Sequence, residues 1–196
     1  MKSNLIGKKL GIIGGGQLGK MLLAECNKLD ISTYVLDSNE NSPCKSLCEK
    51  FYVGDLNDYK TILSFGKKCD LITFEIEHIN VDALYDLEKI GKDVYPKPNT
   101  LYTIQDKNRQ KCFFINNNIP TSKFNFFSSL EELRLSVKNN EISFPCVWKK
   151  TRFGYDGFGV QILKSTDDLF NLPETEMIIE EYIPFDKEIS VIIARN

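Results

Sequence analysis

The sequence predicts an α/β chain that opens on a doubly wound parallel sheet and continues into a smaller α+β unit. Three observations carry this. Short apolar runs alternate with helical patterns as far as Tyr95, the signature of strands that run parallel with helices between them. Pro96-Lys97-Pro98-Asn99 then breaks the alternation, which sets a boundary between residues 1–98 and 99–196. Past the break, VWKKTRFGYDGFGVQ (Val147 to Gln161) places a β-type run ending in Lys149, a loop with Gly154, Gly157 and Gly159, and a second β run in direct succession.

The elements follow in chain order. Lys9 to Ile13 is a short apolar strand, and GGGQLG leads from it into a helix in which Leu18, Met21, Leu22 and Leu29 recur near helical spacing. Ile31 to Leu36 is a second strand ending at Asp37, and Phe51 to Val53 a third. Asp58 to Lys68 reads as a helix, Leu71 to Phe74 as a strand ending in Glu75-Ile76-Glu77, Val81 to Ile90 as a helix and Val94-Tyr95 as a short fifth strand. After the break come helical stretches from Thr100 to Asn117, a turn at Ile119-Pro120 and a strand from Lys123 to Phe127. A helix covers Ser129 to Lys138 with Ser128 as its N-cap. The strand carrying Lys149 and its partner Val160 to Leu163 follow, then a helical turn at Asp167 to Phe170 and two apolar strands, Met177 to Ile183 and Glu188 to Ala194.

Composition excludes several classes. The 196 residues are 42% hydrophobic with a formal net charge of −2, enough to fill a core and without the basic surface that binds nucleic acid. No apolar run reaches membrane-spanning length. Met1 to Leu5 is too short and polar for a signal peptide, which makes the cytoplasm the expected location. Six cysteines form no C-x-x-C and the only histidine is His78, so zinc sites and hydrolase triads are disfavoured and the thiols read as reduced and structural.

The motifs point to phosphate. A cation at a strand end followed by a glycine loop suits a triphosphate: lysine supplies a point charge and glycines let backbone N–H groups close over the anion. The order strand–loop–strand is not that of a Walker loop, which leads into a helix. Gly14-x-Gly16-x-x-Gly19 with Asp37 at the end of the next strand fits either a nicotinamide dinucleotide or another phosphorylated ligand near Gln17; the second glycine loop favours the other ligand. Glu75 and Glu77, two apart at a strand end, share a face at the carboxyl edge, although taken alone they are better explained as an ordinary solvated acidic loop. In DKNRQK (Asp106 to Lys111) the charges read as a solvated helix face. The backbone of Glu180-Glu181-Tyr182-Ile183 suits the edge of an adenine and Glu188 a ribose hydroxyl, but taken alone the segment is better explained as an amphipathic strand with its acids facing water.

Taken together, these segments resemble the ATP-grasp superfamily and, more closely, the 5-(carboxyamino)imidazole ribonucleotide synthases. The matching text is IIGGGQLGKML, TFEIEH, QDKNRQKCFF-INNNIPT, FPCVWKK-TRFGYDGFG, IIEEYI and KEISVIIAR. The resemblance implies a Rossmann-like pre-ATP-grasp domain followed by an incomplete ATP-grasp domain, the chain being the N-terminal part of a longer enzyme. It implies ATP-dependent carboxylation of aminoimidazole ribonucleotide with bicarbonate, in the cytoplasm, with neither nucleic acid nor membrane involved; family members are often homodimers. Lys107 and Lys149 match its cationic phosphate ligands. Gly154, Tyr155, Asp156, Gly157, Phe158 and Gly159 match the lid over ATP, with Tyr155 also near the imidazole substrate and, with Lys149, catalytic. Glu180, Glu181, Tyr182 and Ile183 match the adenine segment and Glu188 the ribose acid. Gln17, Leu18 and Glu75 match positions that hold the phosphoribosyl substrate. The resemblance also implies that Mg2+ is required, that its carboxylate ligands lie beyond Asn196 and that this chain alone is inactive. The chain departs from the family pattern at Phe153, where glycine is common, at Phe158, where Arg or Lys is usual, and at Val160, where Gln is. Rival readings are an ATP-grasp ligase with another acceptor, a nicotinamide-dependent oxidoreductase, and a domain that only binds nucleotide weakly.

Overall fold

A computed structural model describes residues 7–154 and 159–193. Two compact units divide the chain between Gln105 and Asp106. The first holds β1 (Lys9–Ile13), α1 (Gln17–Lys28), β2 (Ser32–Asp37), β3 (Lys50–Val53), α2 (Tyr59–Gly66), β4 (Leu71–Phe74), α3 (Val81–Lys89), β5 (Asp93–Val94) and α4 (Pro98–Ile104). Its sheet runs β3-β2-β1-β4-β5 with every pairing parallel. Alternation along the strands splits the core into two layers. Leu10, Ile12 and Val35 pack with Leu23 and Cys26 of α1. Ile13, Tyr34 and Leu36 pack on the other face with Ile62 and Phe65 of α2 and Leu84 and Leu87 of α3. The doubly wound parallel sheet is therefore present, with helices on both faces.

Two features of this unit differ from the sequence pattern. The buried residues of α1 are Gly19, Leu23 and Cys26, whereas Leu18, Met21 and Leu29 are exposed. The helix lies close enough to the loop before it that a Cβ on Gly19 would meet the Gly14 carbonyl oxygen at 2.9 Å, so the face carrying Gly19, Leu23 and Cys26 turns inward and Leu18, Met21 and Leu29 turn out. The proline-rich stretch opens a helix: Pro98 stands in the first turn of α4, where its missing N–H costs nothing, and Leu101 is buried in the first unit's core.

The second unit holds α5 (Lys107–Asn116), β6 (Phe124–Phe127), α6 (Leu130–Lys138), β7 (Cys146–Lys150), β8 (Val160–Leu163), a 3-10 turn (Thr166–Asn171) and β9 (Met177–Glu181). The sheet order is β6-β9-β7-β8, antiparallel throughout. One face is covered by α6 and the 3-10 turn, through Trp148, Ile179, Leu133 and Leu169. The N-cap of α6 is Ser129, whose hydroxyl accepts the Glu132 N–H at 3.2 Å. The expected cap, Ser128, instead donates its own N–H to the Glu132 carboxylate at 2.8 Å.

The expected strand at residues 188–194 is absent among the described residues. Ile189, Val191, Ile192 and Ile193 are 73–95% exposed, and no neighbouring strand takes up their backbone groups; a strand edge without a partner has nothing to hold it. Four of the six thiols, Cys26, Cys44, Cys69 and Cys146, are buried and none is in a disulfide. Burial pushes the Cys44 thiol up to about 11 and the Cys69 thiol up to about 12, which makes both unreactive packing groups.

Candidate functional site

In the first unit the candidate residues gather where β1 passes into α1. Gly14 has φ +96°, and a Cβ there would lie 2.9 Å from both Glu75 and Ile76 side-chain atoms. Gly16 is the N-cap of α1 and offers no side chain to hold the orphaned amides of the first turn. Carboxylates at the ends of β2 and β4, the strands on either side of β1, instead hold the loop amides just before the helix. Asp37 Oδ2 accepts the Gly15 N–H at 2.6 Å, and Glu75 Oε1 accepts the Gly16 N–H at 2.9 Å. The Ser42 hydroxyl donates to the Gly15 carbonyl, so the loop is fixed from three sides. Gln17 and Leu18 form the exposed beginning of the helix beside Glu75. The loop thus presents one glutamate, the next two amides and the positive end of a helix to a ligand.

This geometry weakens the nicotinamide reading. A ribose-binding aspartate needs its carboxylate free for the two hydroxyls. Asp37 spends Oδ2 on Gly15 and Oδ1 on the Asn39 N–H at 2.7 Å. The first of the testable consequences concerns Gly14. Gly14→Ala is expected to cost about 1–3 kcal/mol, because it adds left-handed strain to a contact with Glu75 that cannot open without moving the loop; urea unfolding of the variant measures it.

In the second unit the candidates gather on the sheet face opposite the α6 core. Register sets Val147 and Lys149 on this face beside Glu180 and Ile178 respectively. Lys149 Nζ donates to Glu180 Oε2 at 2.9 Å. The other oxygen of the same carboxylate pairs with Lys111 Nζ at 3.2 Å, and Ser122 Oγ donates to Oε2 at 2.9 Å. Lys111 donates further to the hydroxyls of Thr121 and Ser122, at 2.8 and 2.5 Å. Burial acts most strongly on Glu180 and pushes its carboxyl upward, but the Lys149 hydrogen bond and the charges of Lys149 and Lys111 outweigh it and hold the group below its ordinary range. The cluster carries two cations and one anion. Its surplus positive charge emerges at Lys149, whose side chain is 28% exposed against 11% for Lys111 and 7% for Glu180.

Lys111 is the member the sequence did not single out. Within Asp106 to Lys111, Asp106 is buried as the cap of α5 and Lys111 turns in to Glu180, while Lys107 opens α5 with its N–H donated to the Thr151 carbonyl at 2.8 Å. That bond ties the start of α5 to the residue after β7, and the Lys107 ammonium makes no hydrogen bond or ion pair among the described residues.

The glycine loop returns to its own start. Lys150 donates its N–H to the Gly159 carbonyl at 2.8 Å, and a Cβ on Gly159 would stand 3.4 Å from the Gly154 Cα. Tyr155, Asp156, Gly157 and Phe158 lie outside the described residues. Phe153 sits at φ +60° and is 59% exposed, and Arg152 lies over its ring at 5.5 Å. Left-handed backbone disfavours a bulky side chain. Phe153→Gly is therefore expected to keep stability or raise it by up to about 1 kcal/mol, a result thermal unfolding would show.

Glu181 closes β9, its carboxylate accepting the Lys123 N–H at 2.9 Å. Tyr182 and Ile183 follow with 41% and 49% exposure. Glu188 lies exposed further along, with no hydrogen bond or ion pair to Lys149 or Glu180 among the described residues. A groove of about 410 Å³ is lined by Lys123, Glu141, Cys146, Glu180 and Glu181, among others. Its lining reaches Glu180 but does not include Lys149. Among the described residues no three His, Cys, Asp or Glu side chains gather to hold a metal, and no helix is long and apolar enough to cross a membrane.

Comparison with known proteins agrees with both units. Residues 7–105 match the ribonucleotide synthetase preATP-grasp domain and residues 112–196 the ATP-grasp domain. The N5-carboxyaminoimidazole ribonucleotide synthase of Saccharolobus solfataricus is 34% identical over 191 residues, which cover 96% of this chain and 50% of that protein. The crystal structure of the N5-carboxyaminoimidazole ribonucleotide synthetase from Thermotoga maritima superposes with a TM-score of 0.80 at 36% identity, over 91% of this chain and 47% of that one. The Aspergillus clavatus synthase, crystallised with ADP and 5-aminoimidazole ribonucleotide, gives a TM-score of 0.80 at 28% identity over 91% and 47%. The chain spans about half the length of these relatives. With residues 7–105 and 112–196 matched, the chain belongs to the family built on the ribonucleotide synthetase preATP-grasp domain, joined to an ATP-grasp domain.

Proposed function

We propose that this chain is the part of an ATP-dependent carboxylase that holds the nucleotide phosphates and the phosphoribosyl group of aminoimidazole ribonucleotide. The observation that carries the reading is the Lys149 ammonium, anchored on buried Glu180 and set one residue before the strand end from which the glycine loop departs. In the proposed reaction a bicarbonate oxygen attacks the γ-phosphorus of ATP and ADP leaves. The resulting carboxyphosphate loses phosphate, and its carbon is captured by the substrate amine, which gives up a proton as the carbamate N–C bond forms. Such chemistry needs placement and charge neutralisation more than a protein nucleophile. Lys149 and Lys107 supply positive charge to the phosphates, and the loop from Gly154 to Gly159 covers them. The backbone of Glu180 to Ile183 meets the adenine and Glu188 the ribose. Tyr155 lies against the imidazole; Gln17, Leu18 and Glu75 receive the phosphoribosyl group. Magnesium, when bound, would offset charge on the phosphates; none of the residues described above is assigned to it. Cytoplasmic location and a homodimer belong to the same proposal.

The full-length protein is expected to hydrolyse ATP only slowly until bicarbonate and aminoimidazole ribonucleotide are both supplied. Steady-state release of phosphate with each component omitted in turn measures this. Equal rates with and without the ribonucleotide, at every bicarbonate concentration, would remove the assignment of acceptor while leaving ATP-grasp chemistry in place.

A further inference from the structure

We propose that Lys111 is a positioning residue for the nucleotide site: by neutralising Glu180 from behind, it leaves the charge of Lys149 available to an anionic ligand. The inference rests on the assignment of Lys149 to the ATP phosphates and goes beyond it by naming what keeps that lysine effective. Glu180 divides its two oxygens. Oε1 faces Lys111 at 3.2 Å and Oε2 faces Lys149 at 2.9 Å. Without Lys111, a buried carboxylate and a single ammonium would make a neutral pair, and an approaching phosphate would compete with Glu180 for Lys149. With Lys111 present, the cluster keeps one net positive charge, and it is exposed on the Lys149 side.

Lys111 is built for this place and not for solvent. Its ammonium has three donors, and the side chain is held by Glu180 and by the hydroxyls of Thr121 and Ser122. It also lies 5.7 Å from the centre of the Phe124 ring. Thr121, Ser122 and Phe124 surround the Lys111 ammonium, and Ser122 Oγ also donates to Oε2, the oxygen that Lys149 holds. A low-dielectric surrounding makes the balance of charge count for more than it would at the surface.

The experiment uses the full-length protein, with ATP affinity read by titration calorimetry and folding by thermal unfolding. Lys111→Met is expected to weaken ATP binding on the order of tenfold. Adding Glu180→Gln removes the carboxylate that would otherwise pair off Lys149, while the amide oxygen can still accept from it. The double variant Lys111→Met/Glu180→Gln is therefore expected to bind ATP within about threefold of the wild type. A purely structural Lys111 would move the unfolding midpoint but gain no affinity from the second substitution. Wild-type affinity in Lys111→Met, or a double variant as weak as the single, overturns the proposal. If Lys111→Met does not fold, the double variant, which buries neither charge, decides alone: a tenfold or greater loss of ATP affinity counts against it. Lys149→Ala in the same titration separates the two levels. Unchanged binding there removes the phosphate assignment itself, and the role of Lys111 with it.

Discussion

Lys149→Ala in the full-length protein is expected to weaken ATP use by roughly ten- to 150-fold, the value of one charge-assisted hydrogen bond of about 1.5–3 kcal/mol. The side chain is neither loose nor buried. β7 runs between β9 and β8, which fixes the stem, and Glu180 holds the ammonium from below at 2.9 Å. Such a charge is paid for in rotamer entropy before the ligand arrives, so nearly all of its attraction appears in binding. Stability responds less. Glu180 keeps Lys111 and Ser122 when Lys149 is gone, so no unpaired charge is stranded. A loss of about 1 kcal/mol corresponds to roughly 2–4 °C in the unfolding midpoint for a chain of this size. Nucleotide titration and steady-state kinetics test the functional part. Normal ATP affinity with full turnover would show Lys149 to be an ordinary surface charge and would overturn the reading of the junction between β7 and the glycine loop.

The parallel sheet was legible because its strands are buried on both faces. β4 reads as the β-favouring run Leu71-Ile72-Thr73-Phe74, bounded by Asp70 and Glu75, and it forms over those same residues. The glycine loops were legible because a backbone that must bend left-handed or approach closely admits few other residues, as Gly14 and Gly159 show with φ +96° and +77°. What the pattern missed depends on who the neighbour is. Periodicity in α1 counts the large apolar residues Leu18, Met21 and Leu29, but the side that meets the sheet is set by the close approach at Gly19, and Leu23 and Cys26 follow on it. Lys111 was hidden for a related reason. In Asp106 to Lys111 it is one charge among several, and nothing local separates it from Lys107 or Arg109. The usable signal lay elsewhere in the chain. Glu180 alternates with Ile178 along an apolar strand, so its carboxylate points the same way as a fully buried isoleucine. A buried acid at such a position requires a cation, and the hydroxyl pair Thr121-Ser122 is suited to orient one.

Glu180→Ala should be the most damaging single substitution to the fold of the second unit. The carboxylate is 7% exposed and compensates Lys111, itself 11% exposed, as well as Lys149. Its removal leaves two ammonium groups facing each other across a cavity. Breaking a buried pair from one side costs about 3–5 kcal/mol, because the remaining charge is neither solvated nor matched. The lysine at β7 can swing toward water; the one on α5 is confined by Thr121, Ser122 and Phe124, and it carries most of the penalty. The same arrangement fixes a pH dependence. Burial raises the Glu180 carboxyl and the two lysines lower it, with a net shift downward from the ordinary value of 4.5. A group held lower in the folded state than in the unfolded one stabilises the fold fully above its unfolded value, and that contribution is lost as pH falls through the folded one. Stability of the wild type should therefore be flat with respect to this group above about pH 5 and decline in more acid solution. Glu180→Gln should lack that component of the decline, since its amide does not titrate. Urea unfolding of wild type, Glu180→Ala and Glu180→Gln at a series of pH values measures both effects. A Glu180→Ala variant within 1 kcal/mol of wild type at neutral pH, or an acid decline unchanged in Glu180→Gln, would mean that Lys111 and Lys149 are balanced by some group other than Glu180.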